Sequence, residues 1–296
     1  MNSEGQTLRG GSLLVRYANF VRLPHTVFAL PFAGLGVVAA SWSAPVTWRT
    51  ALLVAVAFTA ARFVAMGVNR VADRHLDARN PRTRGRELPA GTLTLAQAWT
   101  AVAGAALVFV WAAWSLNPLC FALSPVALAV VTAYSFAKRF TWWSHVWLGV
   151  GDAIAGPAGY LAVTGRWSTP WWILPVLAVV VAAWVAGFDV FYALQDEAFD
   201  RAEGLHSAVV RFGRGRAIFL AKMIHGIAVL ALVAFGAALG LHWPYYAGVV
   251  VGAAIIAWEH QLVKPDDLSR LDAAFFTMNG VVSVVVFAGA LADRIL

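Results

Sequence analysis

Nine long apolar runs, separated by short polar gaps, constrain the fold of this 296-residue chain more than any other sequence feature. A helix needs roughly 20 apolar residues to cross a bilayer, and each run is close to that length. Because helices satisfy their backbone hydrogen bonds internally, they are the structure that such runs adopt in lipid. The sequence therefore predicts an all-α polytopic membrane protein. The runs are residues 24–42, 50–72, 95–116, 118–137, 145–165, 170–193, 217–240, 245–262 and 272–292.

The composition supports lipid, rather than water, as the solvent of this chain. Hydrophobic residues make up 60% of it and charged residues 12%, with a mean hydropathy of +0.71, against about 45–50% and about 25% in soluble proteins. A hydrophobic soluble helical bundle is the alternative, but nine consecutive runs of this length disfavour it. The single cysteine, Cys120, excludes an intrachain disulfide and a cysteine-based metal site. We expect one transmembrane domain over residues 24–296, preceded by a cytoplasmic N-terminal segment over residues 1–23.

The positions of the basic residues predict the orientation of the chain. A formal net charge of +7 would suggest nucleic acid in a soluble protein. Here the basic residues lie in short gaps between apolar runs, which fits the anionic cytoplasmic leaflet and membrane lipid as partner, not nucleic acid. With a cytoplasmic N-terminus, the outer gaps and the C-terminal tail contain only Arg49, Arg166 and Arg294 of the 22 Lys and Arg residues. This asymmetry agrees with the positive-inside rule.

Two acidic segments lie at the predicted cytoplasmic ends of the second and sixth runs. At about 100° per residue, each segment places four polar side chains on one face of one helix. Since both helices are even-numbered, both sets of carboxylates are expected at the same level of the membrane. The first set is Arg62, Asn69, Asp73 and Asp77, and the second is Asp189, Tyr192, Asp196 and Asp200.

Facing rows of carboxylates favour a divalent cation between them. An ionisable group inside a span costs about 2.5–3.5 kcal/mol on insertion scales, and carboxylates four residues apart repel one another. Oxygen ligands without a cysteine or histidine cluster favour Mg²⁺. Because Mg²⁺ commonly completes its shell with water and substrate phosphate, a diphosphate is the expected ligand. The alternative is that these charges are solvated helix ends paired with neighbouring arginines, which two such rows disfavour.

Three segments of the chain resemble the UbiA family of intramembrane prenyltransferases. Asn69-x-x-x-Asp73-x-x-x-Asp77, followed by the basic loop 80–89, is similar to the first motif of that family. The second motif corresponds to Asp189-x-x-Tyr192-x-x-x-Asp196-x-x-x-Asp200. The third landmark, a tyrosine and a basic pair after the fourth helix, corresponds to Tyr134, Lys138 and Arg139. With the nine-helix layout, the resemblance covers nearly the whole chain.

This resemblance implies a Mg²⁺-dependent enzyme with its helices arranged around a central cavity. Such an enzyme transfers a polyprenyl group from polyprenyl diphosphate to an aromatic acid such as 4-hydroxybenzoate, through an allylic carbocation that the ring attacks. It implies the bacterial cytoplasmic membrane, with the active site near the cytoplasmic face, and a role in ubiquinone or menaquinone biosynthesis. Segments 86–91 and 192–200 look most like the 4-hydroxybenzoate-type branch, in particular the bacterial members of the futalosine route to menaquinone.

The resemblance also implies roles for individual residues. Two Mg²⁺ ions bridging the diphosphate would be held by Asn69, Asp73, Asp77, Asp196 and Asp200. The four aspartates and Lys138 are the expected catalytic groups, and Lys138 and Arg139 match positions that neutralise the diphosphate. The expected substrate-binding residues are Arg22, Arg62, Asn69, Arg82, Arg86, Tyr134, Arg139, Asp189 and Tyr192.

Several alternatives remain open at this point. Arg62 could bind the acceptor carboxylate or the diphosphate, or form a salt bridge with Asp189. Arg22 could lie near the acceptor or anchor the chain at the inner leaflet. Asp152, inside the fifth run, receives no role. A cation-coupled transporter or a lipid-handling protein is the alternative function. Acidic rows near one interface, accompanied by basic loops, suit a diphosphate better than an ion path.

Overall fold

The computed structural model describes residue 8, residues 10–271 and residues 279–296, and the regular elements in those ranges are helices. A 3₁₀ turn, Tyr134–Arg139, follows α5, and one isolated bridge pairs Lys264 with Asp267. The helices are α1 (Leu13–Phe20), α2 (Leu23–Ala40), α3 (Trp48–Arg79), α4 (Leu95–Leu116), α5 (Pro118–Ala133), α6 (Ser144–Ala153), α7 (Ala155–Thr164), α8 (Ile173–Ala193), α9 (Glu197–Ala202), α10 (Ala208–Phe212), α11 (Arg214–Leu239), α12 (Trp243–Leu262) and α13 (Asn279–Ile295).

Among the residues that the structure describes, six helical segments are long and apolar enough to cross a membrane, which supports the all-α membrane class. Many of their large side chains face outwards: Leu107 is 72% exposed and Leu230 is 70% exposed. The six are Trp48–Arg79, Leu95–Leu116, Pro118–Arg139, Ser144–Thr164, Ile173–Ala193 and Arg214–Leu239. The helices α2, α12 and α13 coincide with the other three predicted runs but are not among the six. Part of the ninth run, residues 272–278, lies outside the described residues.

Local sequence signals explain where the helices begin and end. Thr94 and Gln97 form a reciprocal capping box at the start of α4. Asn117 caps α5 and places Pro118 in the first turn, where its missing N–H is not needed. Pro157 cannot donate to the carbonyl of residue 153, and the helix is interrupted there between α6 and α7. Gly165, in the left-handed conformation with φ 63°, ends α7.

The two acidic segments differ in their local structure. The first lies entirely within α3, as the periodicity predicts. The second does not form one helix: α8 ends at Ala193, and α9 begins at Glu197. The amides of residues 194, 195 and 196 bond to carbonyls three residues before them, a 3₁₀-type turn that interrupts the α-helical register. The expectation of a common helix face for Asp189, Tyr192, Asp196 and Asp200 is therefore wrong.

Close helix packing surrounds the region between these segments. The helix α8 is largely buried and packs against α6 and α11, while α2 packs against α7. A Cβ atom at Gly36 would overlap the Gly156 carbonyl oxygen, so the α2–α7 contact requires glycine. The N-terminal helix α1 packs against α3, because Phe20 at its end and the following Val21 share a buried cluster with Val71.

Candidate functional site

A cavity of about 240 Å³, here called the polar cavity, lies between the acidic ends of α3 and α8. It brings together side chains of the two acidic segments, of the loop after α3 and of the 3₁₀ turn after α5. Every residue that the sequence analysis assigned to the site lines it, although the second segment is broken into two helices. These residues are Arg22, Arg62, Asn69, Asp73, Asp77, Arg82, Arg86, Tyr134, Lys138, Arg139, Asp189, Tyr192, Asp196 and Asp200.

Four aspartates of the polar cavity are each paired with a basic side chain. These aspartates are not solvated helix ends, because their side chains are between 3% and 22% exposed. The alternative reading of the sequence, solvated helix ends paired with arginines, is correct about the pairing, but the pairs lie inside a cavity. The pairs are Arg139 Nη2–Asp73 Oδ1 at 2.7 Å, Arg86 Nη1–Asp77 Oδ1 at 2.7 Å, Arg82 Nη2–Asp196 Oδ2 at 2.5 Å and Lys138 Nζ–Asp200 Oδ2 at 3.4 Å.

Arg82 forms the tightest of these contacts and joins the two acidic segments. Its Nε donates to Asp196 Oδ1 at 2.9 Å while its Nη2 donates to the other oxygen, a bidentate geometry. Asn80 adds a hydrogen bond to Oδ1 at 3.0 Å, and the Tyr192 hydroxyl accepts from Arg82 Nη1 at 2.6 Å. The loop after α3 is thus bound directly to the second segment.

The pKa values of Asp196 and Asp200, two of the three aspartates of the second segment, shift in opposite directions. Burial favours the protonated form of Asp196, but the hydrogen bonds and charge of Arg82 outweigh it and hold the pKa of this carboxyl below its ordinary value. For Asp200, burial dominates and raises the pKa, although Lys138 opposes it. Asp196 therefore favours the charged form more strongly than Asp200 does.

The donor chemistry of the polar cavity fits a hard divalent cation. The oxygen donors are carboxylates and the Asn69 amide, and Mg²⁺ prefers such oxygen ligands. Asp77 Oδ2 is buried and has no hydrogen-bond partner among the described residues. Within the described ranges, no three His, Cys, Asp or Glu side chains converge as a metal cluster, because the aspartates face their basic partners. The residues that could hold such an ion are Asn69, Asp73, Asp77, Asp196 and Asp200.

Arg62 and Asp152 lie at the inner end of the polar cavity. Arg62 Nη1 is 3.9 Å from Asp152 Oδ1, so Asp152, not Asp189, is its nearest acidic partner. The salt bridge between Arg62 and Asp189, one of the possibilities that the sequence allowed, is therefore not formed. Arg62 Nε is buried and makes no hydrogen bond within the described part of the chain. The sequence could identify Asp152 as an unusual charge in a span, but not its partner.

A second cavity of about 540 Å³, here called the apolar cavity, continues from this point. It is surrounded by residues of α2 to α8 and is lined mainly by alanine, valine, leucine and phenylalanine. Arg62, Ala65 and Asp152 line both cavities. The two cavities are therefore adjacent, and one is charged while the other is lined by hydrocarbon side chains.

Asp189 has a partner that the sequence analysis missed. Its Oδ2 lies 2.7 Å from Nδ1 of His145, a residue at the start of α6 that is 1% exposed. The amide of Ala208 donates to His145 Nε2 at 3.2 Å. Because His145 is 44 positions from Asp189 and outside every motif, only the folded arrangement identifies it.

Comparisons with known proteins show which family and fold the chain resembles. A model described as the UbiA prenyltransferase family matches residues 29–281. A 4-hydroxybenzoate octaprenyltransferase of Alcanivorax borkumensis is 34% identical over 67% of this chain and 67% of its own. The apo structure of a UbiA homolog from Aeropyrum pernix superposes with a TM-score of 0.84 at 31% identity, over 92% of this chain and 98% of its own. A UbiA homolog from Archaeoglobus fulgidus bound to DMAPP and Mg²⁺ shares the fold, with a TM-score of 0.71 at 18% identity over 95% and 99%.

Proposed function

The chain belongs to the UbiA prenyltransferase family, and on that premise we propose that it transfers a polyprenyl group from polyprenyl diphosphate to an aromatic acid. The relatives named 4-hydroxybenzoate octaprenyltransferase identify it as an aromatic prenyltransferase. We propose 4-hydroxybenzoate or a related quinone precursor as the acceptor. Ubiquinone and menaquinone assembly are the two pathways that such an acceptor would serve.

The adjacency of the two cavities is the observation that carries this proposal. The polar cavity presents a guanidinium-rich and carboxylate-rich surface, and the apolar cavity lies next to it, with Arg62 and Asp152 lining both. A molecule that fills both must have a charged head and a long hydrocarbon tail. A polyprenyl diphosphate has this form, and a simple cation or a soluble metabolite does not.

We propose that Mg²⁺ ions, two in number, bridge the aspartates to the diphosphate. A Mg²⁺ ion here would supply positive charge to the diphosphate as it leaves. The homolog from Archaeoglobus fulgidus that was solved with DMAPP and Mg²⁺ supports the same pairing of metal and substrate. The ligands would be Asn69, Asp73, Asp77, Asp196 and Asp200.

The basic residues of the polar cavity would exchange partners when substrate arrives. Arg139, Arg86 and Lys138 each contact one carboxylate, and a cation taking that carboxylate would leave the basic group free to bind phosphate oxygens. Arginine suits this role because its planar fork grips two phosphate oxygens together. In the absence of substrate, the ion pairs would thus hold these basic side chains close to the position where they bind the diphosphate.

Arg62 is the residue that we propose for the acceptor carboxylate. Its guanidinium lies where the two cavities meet, so an aromatic ring beside it would face the first carbon of the prenyl chain. Arg22, which also lines the polar cavity, would contribute positive charge on the same side. The allylic cation formed as the diphosphate departs would then be attacked by the ring carbon ortho to the hydroxyl. That carbon would lose its proton to the released diphosphate, which restores the aromatic ring.

We further propose nine spans with a cytoplasmic N-terminus. In this topology α2, α12 and α13 span the membrane together with the six segments described above, and the polar cavity lies near the inner leaflet of the bacterial cytoplasmic membrane. The distribution of Lys and Arg supports it. Reporter fusions after Gly91 and after Gly165 test it: the first should report a cytoplasmic position and the second an external one. The reverse result would overturn the topology.

Purified protein in detergent or nanodiscs tests the proposed reaction. With Mg²⁺, a radiolabelled polyprenyl diphosphate and a panel of aromatic acids, we expect diphosphate release coupled to a prenylated acid, and no product when EDTA is present. Diphosphate release that requires no acceptor, or metal-dependent ligand movement across vesicles without turnover, would contradict the proposal. The second outcome is the one that a transporter predicts.

A further inference from the structure

The hydrogen bonds around His145 determine which ring nitrogen carries its proton. Nε2 receives the Ala208 amide at 3.2 Å, and an amide can only donate. Nε2 must therefore present a lone pair, and the proton of a neutral imidazole must lie on Nδ1. Nδ1 is 2.7 Å from Asp189 Oδ2, so it donates to that oxygen. The ring is buried, 1% exposed, between α6, α8 and α10.

Asp189 differs from the other aspartates that line the polar cavity. Five of them, at positions 73, 77, 152, 196 and 200, have an arginine or lysine as ion-pair partner. Asp189 is instead held through Oδ2 by the neutral His145. Its Oδ1 receives no hydrogen bond from the residues that the structure describes, although the side chain lines the cavity and is 19% exposed. One oxygen is thus fixed in place and the other is available to a ligand.

We propose that His145 is a positioning residue that holds Asp189 so that Oδ1 accepts a hydrogen bond from the hydroxyl of a phenolic acceptor. This inference rests on the proposed function and adds to it a requirement for a hydroxyl donor on the acceptor ring. A carboxylate without a bound cation is the natural partner for such a donor, because a charged acceptor strengthens the hydrogen bond.

The contact would also favour the reaction. A phenol that donates to a carboxylate gains electron density on its oxygen and on the ring carbons ortho to it. Those carbons are the nucleophile in the proposed transfer. The imidazole does not touch the acceptor, and its role is to keep the carboxylate in one orientation, as outer hydrogen bonds do for other buried functional groups.

A double-mutant cycle separates this role from a purely structural one. The variants are His145→Leu, Asp189→Asn and the double variant, with kcat/KM measured for 4-hydroxybenzoate. Each single variant should lose about tenfold or more, the scale of a hydrogen bond to a charged group. The double variant should be no worse than Asp189→Asn, because both changes disable the same contact. Losses that multiply would overturn the proposal.

Two further measurements keep the inference distinct from the proposed function. Competition by 4-methoxybenzoate, which lacks the hydroxyl donor, should be weaker than by a hydroxylated analogue in the wild type and equal to it in Asp189→Asn. Mg²⁺-dependent binding of a polyprenyl diphosphate should be unchanged within about twofold in all variants, since none of them removes a proposed metal ligand. Loss of that binding would indicate disruption of the cavity and would also overturn the proposal.

A conservative variant covers the case in which His145→Leu does not fold. His145→Gln retains one donor and one acceptor, so its kcat/KM should stay within about threefold of the wild type. In ¹⁵N-histidine spectra of the wild-type protein, the resonance lost in His145→Gln should be that of a neutral ring protonated on Nδ1. A ring protonated only on Nε2 would contradict the inference, whether or not the acceptor has been identified.

Discussion

At the scale of single residues, the ion pairs of the polar cavity differ in how strongly the fold depends on them. The Arg82 side chain is 12% exposed and that of its partner, Asp196, 7%. Asp73 and Arg139 are more open, at 22% and 35%, and Arg139 also donates to two backbone carbonyls. Removing one partner of a buried pair leaves an uncompensated charge, whereas an open pair contributes little.

We therefore predict that Asp196→Ala destabilises the protein by about 3–5 kcal/mol, because it leaves the Arg82 guanidinium buried without its carboxylate. Asp73→Ala should cost about 1 kcal/mol or less. Unfolding in detergent, followed by circular dichroism, measures both. Equal losses for the two variants would mean that the burial of Arg82 does not control stability.

Motif spacing and the resemblance identified many of the charged residues that line the polar cavity, but not Arg70 or Asn80, and they did not predict contacts between distant segments. Asn69, Asp73 and Asp77 follow from periodicity because they share one helix. His145 and the partner of Arg62 could not be predicted, since they depend on how α6 packs against α8 and α3. Pairing of the aspartates with arginines was considered only as the disfavoured alternative, and the individual partners could not be assigned because they depend on loop conformation.

At the scale of helices, the close contact of α2 with α7 gives a direct test of packing. A methyl group at Gly36 would overlap the Gly156 carbonyl oxygen, a backbone atom that cannot rotate away. We predict that Gly36→Ala lowers stability by about 1–3 kcal/mol or more. Gly104→Ala on α4 is the matched control, because no atom lies within 4 Å of its added Cβ, and it should be neutral or slightly stabilising. Equal melting temperatures for the two variants would disprove this contact.

The short helix α9 is held by Glu197, which gives a pH-dependent prediction. Burial tends to raise the pKa of Glu197, but hydrogen bonds from Arg214 at 2.6 Å and Arg201 at 3.2 Å lower it below the ordinary value of 4.5. A carboxyl with a lowered pKa stabilises the fold above its unfolded pKa and loses that contribution as the pH falls through its folded value.

Glu197→Gln should therefore cost about 1 kcal/mol at pH 7, a value reduced because both arginines are exposed to solvent. The difference from the wild type should shrink as the pH falls below about 4.5 and through the lower pKa of the folded protein. Denaturant titrations of both proteins at several pH values measure it. A difference that is constant with pH would show that these ion pairs do not stabilise α9.

Helix positions were easier to predict than helix continuity. The long apolar pattern ending in Asp77 correctly predicted one helix through the first acidic segment. The same periodicity failed after Ala193, because the next turn adopts 3₁₀-type hydrogen bonds and Asp196 is bound by Asn80 and Arg82 from another segment. Such tertiary contacts override local periodicity, and the sequence alone does not show them.

At the scale of the whole molecule, the apolar cavity predicts how the enzyme treats donors of different length. It is lined by residues of seven helices, α2 to α8, among them Ala127 of α5. Ala127→Phe should narrow the cavity and raise the KM for a long polyprenyl diphosphate about tenfold or more, while leaving that for dimethylallyl diphosphate within about twofold. Leu107→Phe, on the outer surface, is the control and should change neither. An equal effect on the KM values of both donors would show that the prenyl chain of the long donor does not occupy the apolar cavity.

The central claim is that two acidic segments on separate helices bind one metal–diphosphate group together. Calorimetric titration of a non-reactive polyprenyl thiodiphosphate, with and without Mg²⁺, tests it most directly in the wild type, Asp73→Asn and Asp200→Asn. We predict Mg²⁺-dependent binding in the wild type and a loss of about 100-fold or more in each variant, while the exposed control Asp266→Asn binds normally. Wild-type affinity in Asp73→Asn or in Asp200→Asn would contradict the account, because the acidic segment that carries the substituted aspartate would then not contribute to binding.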